Sequence, residues 1–364
     1  MNQKPPRWLF PAVLLALALS SAALAGERTR GLLLASVELG LGALAIALPV
    51  GGILAVLLVK THGAGRRLAV WLLATTLFVP LHLFAAAWRA GFGVLGWYTQ
   101  LAAGAAPVNP LLRGMPGAVW VHGLAAIPWV ALILAASLKS VDPRLEQQAL
   151  LSYPPLAVLR RVTLRYVAPA ALVAAGWVMV VAASEMTVTD LFQVRTFAEE
   201  VYTQHAMRAM DPIDPAKPDG SFPLTEFCWG LAALWLAAVA VLHGVAGLVS
   251  TLVTHSGQPP WRLPIRSGLS AAIVGALMAV IAALPIGNLV YKAGGRAVRE
   301  GDAWRREWSA GKVVEELAAA PVRYRRELGQ SAKLGLTVAT AAVVLGGAIA
   351  WRLANGGWQR TGWI

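Results

Sequence analysis

The sequence predicts an all-α fold: a polytopic transmembrane helical bundle of about eight spans. Three observations carry this. Hydrophobic residues make up 57% of the chain and charged residues only 13%, against roughly 25% in soluble domains. The apolar residues fall in repeated runs near the ~20 needed for a helix to cross a bilayer, and the mean hydropathy is +0.62. The runs are continuous rather than alternating, which excludes the pattern of a membrane β-barrel.

Taken in order, the first expected span is residues 9–25. Lys4, Arg7, the apolar stretch and Ala23-Leu24-Ala25 also fit a cleaved signal peptide; an uncleaved helix suits a polytopic chain. The next spans are expected at residues 32–59, ending at Lys60, and 68–87, ending at Trp88-Arg89. Five more follow at residues 117–138, 167–184, 226–248, 268–290 and 334–351. Pro49, Pro80, Pro128 and Pro285 lie within or beside spans, where each removes a backbone donor and can kink a helix. The lone cysteine, Cys228, falls in an apolar run and reads as a small buried hydrophobe. Three segments follow: an anchor at 1–30, a first multi-span unit at 31–256, and a third segment at 257–364.

Lys and Arg in short loops set orientation. With the N-terminus cytoplasmic, the inside segments carry Lys60, Arg66, Arg67, Lys139, Arg144, Arg160, Arg161, Arg165, Arg262 and Arg266, against Asp142 and Glu146. The outside loop 190–224 is acidic, with Asp190, Glu199, Glu200, Asp211, Asp214 and Asp219. Segment 291–333 would also lie outside although it is strongly basic. Arg305, Trp308 and Val313 there suggest an amphipathic helix along the interface. The net charge of +13 is membrane-flanking charge, not a nucleic-acid footprint.

No phosphate-binding GxxxxGK[ST] loop occurs, and no glycine-rich turn stands in the strand-to-helix context that a dinucleotide fingerprint requires. Ser-His-Asp, HExxH and paired metal-ligand patterns are likewise missing, and His62, His82, His122, His205, His243 and His255 are scattered. The chain reads as a non-enzyme with no bound cofactor. Any ATP hydrolysis belongs to another polypeptide.

The polar interruption at residues 142–165, DPRLEQQALLSYPPLAVLRRVTLR, is longer than a connection needs. Asp142 can cap a helix, Pro143 suits its first position, and Glu146 puts negative charge in the first turn. Leu145, Ala149 and Leu150 recur at helical spacing. Tyr153-Pro154-Pro155 ends that helix, and Leu156, Leu159, Val162 and Leu164 line a second stretch. Two short helices at a bend can dock into a partner's groove and pass its movement to the adjoining spans. The same residues also suit a helix that merely anchors the next span at the headgroups.

This stretch resembles the Glu-Ala-Ala loop of importer-type ABC transporter permeases, the binding-protein-dependent inner-membrane components, whose pattern is roughly EAAxxxG followed by V-x-L-P. Here it reads Glu146-Gln147-Gln148-Ala149-Leu150-Leu151-Ser152, then Val162-Thr163-Leu164-Arg165. Two glutamines stand in place of alanines, Ser152 in place of glycine and Arg165 in place of proline. Leu48-Pro49, Lys60-Thr61, Pro80, Trp88, Ile127-Pro128-Trp129 and Asp142-Pro143 are similar to the surrounding frame. Residues 195–203, RTFAEEVYT, resemble the outside loop of the ferric-iron-type branch. Permeases of that branch are usually fused pairs of six-span halves. The resemblance therefore implies a truncated or split permease, or a half-permease with two extra helices that pairs with another copy.

The resemblance also implies a bacterial inner-membrane pump in two layers. A periplasmic solute-binding protein delivers the solute, with ferric iron as the branch's substrate. A cytoplasmic ABC ATPase dimer grips Asp142, Glu146, Gln147, Gln148, Ala149, Leu150, Leu151 and Ser152, with Glu146 meeting a donor on the ATPase. Glu185, Thr189 and Asp190 are the candidate translocation path, because four residues separate Glu185 from Thr189 and a helix would place both on one face. A secondary transporter would instead need coupling carboxylates near the bilayer midplane and no ATPase.

Overall fold

In the computed structural model, the described residues are 20, 26–103, 109–210, 261–300 and 303–354. The expected spans at 9–25 and 226–248, with Cys228, lie outside them. The chain divides into two compact units, Met1–Leu289 and Val290–Ile364.

In the first unit, helix α1 (Glu27–Lys60) is apolar along 34 residues and carries Pro49 inside it. Helix α2 (Arg66–Thr76) and helix α3 (Leu81–Phe92) follow, then α4 (Trp97–Ala103) and α5 (Gly114–Ser140). Helix α6 (Pro143–Leu150) is short, and α7 runs over Pro155–Ser184 through a wide π turn at Leu159–Thr163. Helices α8 (Thr187–Leu191) and α9 (Phe197–Met210) come next. Helix α10 (Ser267–Gly294) also contains a π turn, at Ala279–Ala283, just before Pro285. Such turns insert one residue into the ladder and let a span bend without losing its backbone bonds.

Helix α1 packs most extensively on α5, and also on α7. Their contact is filled by Leu39, Leu54, Val121, Ile127, Val130 and Leu134. Small residues permit the close approach, as at helix crossings in lipid, where packing replaces hydrophobic driving force. A Cβ on Gly51 would meet Val130 at 2.7 Å, and one on Gly42 would meet Val119 at 2.8 Å. At the far end, Glu200 is buried and receives Arg28 at 2.5 Å, Arg195 at 3.7 Å and Gln204 at 2.8 Å. Ser36 Oγ accepts from the Phe197 N–H at 3.0 Å. These bonds seat α9 on the start of α1.

The stretch expected as a span at 68–87 is not one straight helix: α2 and the helical stretch Leu81–Ala102 meet at 106°. Pro80 lacks an N–H and biases the preceding residue away from helical backbone. Phe78 and Val79 N–H groups turn back to Thr75 and Thr76, whose hydroxyls bond Leu72 and Leu73 carbonyls. The helix therefore closes itself off before α3 begins.

Five helical stretches are long and apolar enough to cross a membrane among the described residues, or six if the bent pair counts as one span. The chain is thus a polytopic helical membrane protein. In the first unit, α1, α5, α7 and α10 cover the spans expected at 32–59, 117–138, 167–184 and 268–290.

The second unit holds a two-stranded antiparallel hairpin, β1 (Gly295–Glu300) and β2 (Ala303–Trp308), then α11 (Ala310–Arg323) and α12 (Arg325–Ala354). The interfacial helix expected through Arg305 and Trp308 is corrected: those residues lie on β2, where Arg305 faces Val298 and Trp308 faces Gly295. Trp304 and Trp308 are of a residue type enriched in strands. Val313 alone of the three residues lies in helix α11, which Ser309 caps by accepting from the Lys312 N–H. Helix α12 contains the fifth long apolar stretch, Arg325–Arg352, and covers the span expected at 334–351.

Candidate functional site

Three elements of the first unit meet at one buried ion pair. Lys60, the last residue of α1, places Nζ 2.7 Å from both Glu146 carboxylate oxygens, and Thr163 Oγ1 donates to Oε1 at 2.7 Å. Lys60 and Glu146 side chains are 0% exposed. The Trp261 ring lies 5.9 Å from Nζ, and the Leu263 N–H donates to the Lys60 carbonyl at 2.6 Å. Helix α6 is thereby bound to α1 and to the π turn of α7, and the irregular segment 261–266 is bound to the same Lys60.

Local sequence explains how α6 reaches this position. Asp142 accepts from the Arg144 N–H at 3.0 Å and Pro143 occupies the first turn. Glu146 therefore starts one turn in, on the face toward α1. The opposite side of the bend is open. Leu151 is 87% and Leu156 is 72% exposed, and Leu145 and Tyr153 are partly exposed with them. The Arg161 guanidinium stacks 5.3 Å from the Tyr153 ring centroid. Gln147, Gln148 and Ser152 are exposed, whereas Ala149 and Leu150 are half-buried.

The expected direct contact of Glu146 with a partner is corrected by its burial. The Lys60 ammonium already contacts both of its oxygens and the Thr163 hydroxyl donates to one, and an isolated buried carboxylate would be costly. Its part is to position the helix. Lys60, Thr163 and Trp261 were not singled out as partners by sequence reasoning. The one available signal is a lysine closing a long apolar span, with just two acids, Asp142 and Glu146, in the next polar segment on that side.

The residues expected to form a path do not converge. Helix α7 ends at Ser184, and Glu185 has extended backbone. Its carboxylate accepts from the Thr187 and Val188 N–H groups at 2.8 and 2.9 Å, capping α8. Glu185 and Thr189 thus belong to different helical segments, which removes the shared face. Thr189 is buried with its hydroxyl on the Met186 carbonyl, and Asp190 is exposed. A cleft of about 330 Å³ lies elsewhere, between the α2–α3 bend and α5, α7 and α10. Phe84, His122, Trp129 and Trp177 line it. Two residues of its wall reach the expected set: His122 Nε2 lies 3.7 Å from Glu185 Oε2, and the Val181 carbonyl accepts from the Glu185 N–H at 3.1 Å.

Among the described residues no group of three or more His, Cys, Asp or Glu side chains could hold a metal ion. In comparisons with known proteins, the chain matches no family model and no curated protein.

Proposed function

We propose that the chain is the membrane subunit of an ATP-driven importer of the ABC permease type in a bacterial inner membrane. In this reading the N-terminus is cytoplasmic and the chain works with a cytoplasmic ATPase dimer and a periplasmic solute-binding protein. A small solute is moved, ferric iron by the branch that the sequence resembles, and a second permease half or copy completes the pathway. The observation that carries the reading is the braced bend: exposed apolar side chains, Leu145, Leu151, Tyr153 and Leu156, along a short helix and the turn after it, tied through Lys60, Glu146 and Thr163 to two spans. A force on that face reaches α1 and α7 through short charged bonds rather than through a slack loop, as a rigid-body transition requires.

The experiment is ATPase stimulation in the reconstituted complex of this chain with the ATPase it is co-expressed with. L151D and L156D should abolish stimulation while membrane insertion persists. Stimulation unchanged by both variants removes the coupling role.

A secondary transporter has one observation in its favour, the buried His122 beside Glu185 next to a cleft. Uptake that stops on collapse of the proton gradient, with ATP maintained, selects that reading.

A further inference from the structure

The opposite side of the Lys60 turn holds a second feature, independent of the transport reading. Chain segments 62–67 and 262–267 enclose an open cavity of about 460 Å³. His62, Arg66, Arg67 and Arg262 line it, together with Gly65 and Ser267. No carboxylate is among the lining residues. Like charges gathered at one cavity repel one another, and nothing acidic in its wall offsets this.

Two of the guanidiniums are held in place. Arg66 donates to the Thr61 carbonyl at 3.4 Å, and Thr61 is fully buried. Arg262 donates to a ring nitrogen of His62. Both arginines are half-buried. The segment bearing Arg262 is also fixed by the Leu263–Lys60 backbone bond.

Two helices begin at the same cavity. Helix α2 starts after Gly65, and α10 starts at Ser267; neither has a side-chain cap. Their first N–H groups are therefore free for an anion. Gly65 has φ +77°, a left-handed conformation that side chains rarely adopt, and a Cβ there would meet nothing within 4 Å. The turn leaves open space above the α2 terminus.

We propose that this cavity binds a phosphate group, with Arg66, Arg67 and Arg262 as its cationic wall and the α2 and α10 termini as backbone donors. Arginine forks match phosphate oxygens, and basic pockets at the ends of membrane helices take anionic headgroups. The phosphate has two sources: the headgroup of an anionic lipid, or inorganic phosphate in solution.

The test uses the full chain in nanodiscs. Thermal unfolding is measured in phosphatidylcholine alone, in phosphatidylcholine with phosphatidylglycerol, and in phosphatidylcholine with added inorganic phosphate. Stabilisation by phosphatidylglycerol alone assigns a lipid headgroup; stabilisation by inorganic phosphate assigns the free anion. The concentration dependence should weaken about fivefold for each of R66Q and R262Q. R66K and R262K, which keep the charge but lose the planar fork, should fall between wild type and the glutamine variants, separating binding from misfolding. Arg160 and Arg161 lie on the exposed bend and serve as the control. No stabilisation by either probe, or an equal loss in R160Q/R161Q, overturns the site.

Discussion

Replacing Lys60 by methionine should be more damaging than replacing Lys60 and Glu146 together. K60M leaves a carboxylate with 0% exposure and only Thr163 as a donor. Removing one partner of a buried pair costs about 3–5 kcal/mol, because the remaining charge is uncompensated. Exchanging both charges for apolar groups of similar volume is often near neutral. Thr163 complicates the double variant. In K60M/E146M its hydroxyl loses its acceptor, which costs about 1–3 kcal/mol if no other is found. The expected order is therefore K60M and E146M worst, K60M/E146M milder, and K60M/E146M/T163V close to wild type. The assay is thermal unfolding of the purified chain in one fixed detergent, read by tryptophan fluorescence. Wild type, both singles, the double and the triple are run side by side. Additive losses in the double variant would refute the pair as a coupled buried unit.

Stability and function should separate in the triple variant. It keeps α6 folded yet replaces a directional charged tie by apolar packing, so unfolding stays near wild type while ATPase stimulation falls. At the α1–α5 crossing, G51A should destabilise by about 1–3 kcal/mol through overpacking, because the new Cβ meets Val130 at 2.7 Å. G31A on the same helix meets nothing within 4 Å and should be neutral or stabilise by up to about 1 kcal/mol; equal unfolding of the two variants would contradict that packing. At the other end, E200Q removes the negative charge shared by Arg28 and Arg195 and one of the two oxygens that accept there. It should speed proteolysis within α9 without lowering the global unfolding transition; unchanged cleavage would show that the bonds do not seat the helix.

Much of the membrane frame was legible because it depends on run length. The apolar stretch before Lys60, and those of α5, α7 and α10, are long enough that a helix follows from backbone satisfaction in lipid alone. The cap at Asp142 and the stop at Tyr153-Pro154-Pro155 were legible because they are local. The break before Pro80 was not, since proline is tolerated within other spans of this same chain, at Pro49, Pro128 and Pro169. What decides Pro80 is the turn of Phe78 and Val79 onto Thr75 and Thr76, a choice between competing hydrogen bonds.

The site was legible only in outline. Residue spacing located the bend, but it could not reveal that Glu146 turns inward, because its partner lies 86 positions earlier. The same limit explains the failed path. Helical spacing joined Glu185 to Thr189, while the structure spends the Glu185 carboxylate on the two N–H groups of the next helix. The basic cavity went unseen because residues near 65 and 262 look like ordinary flanking charge until the fold brings them together.

Side-specific labelling of a cysteine placed at Ser152, in a C228S background, tests the central claim most directly. The account predicts that this position reacts in inverted membrane vesicles, stays silent in intact cells, and is shielded when the ATPase subunit is bound. Reaction only from the outer face would contradict it.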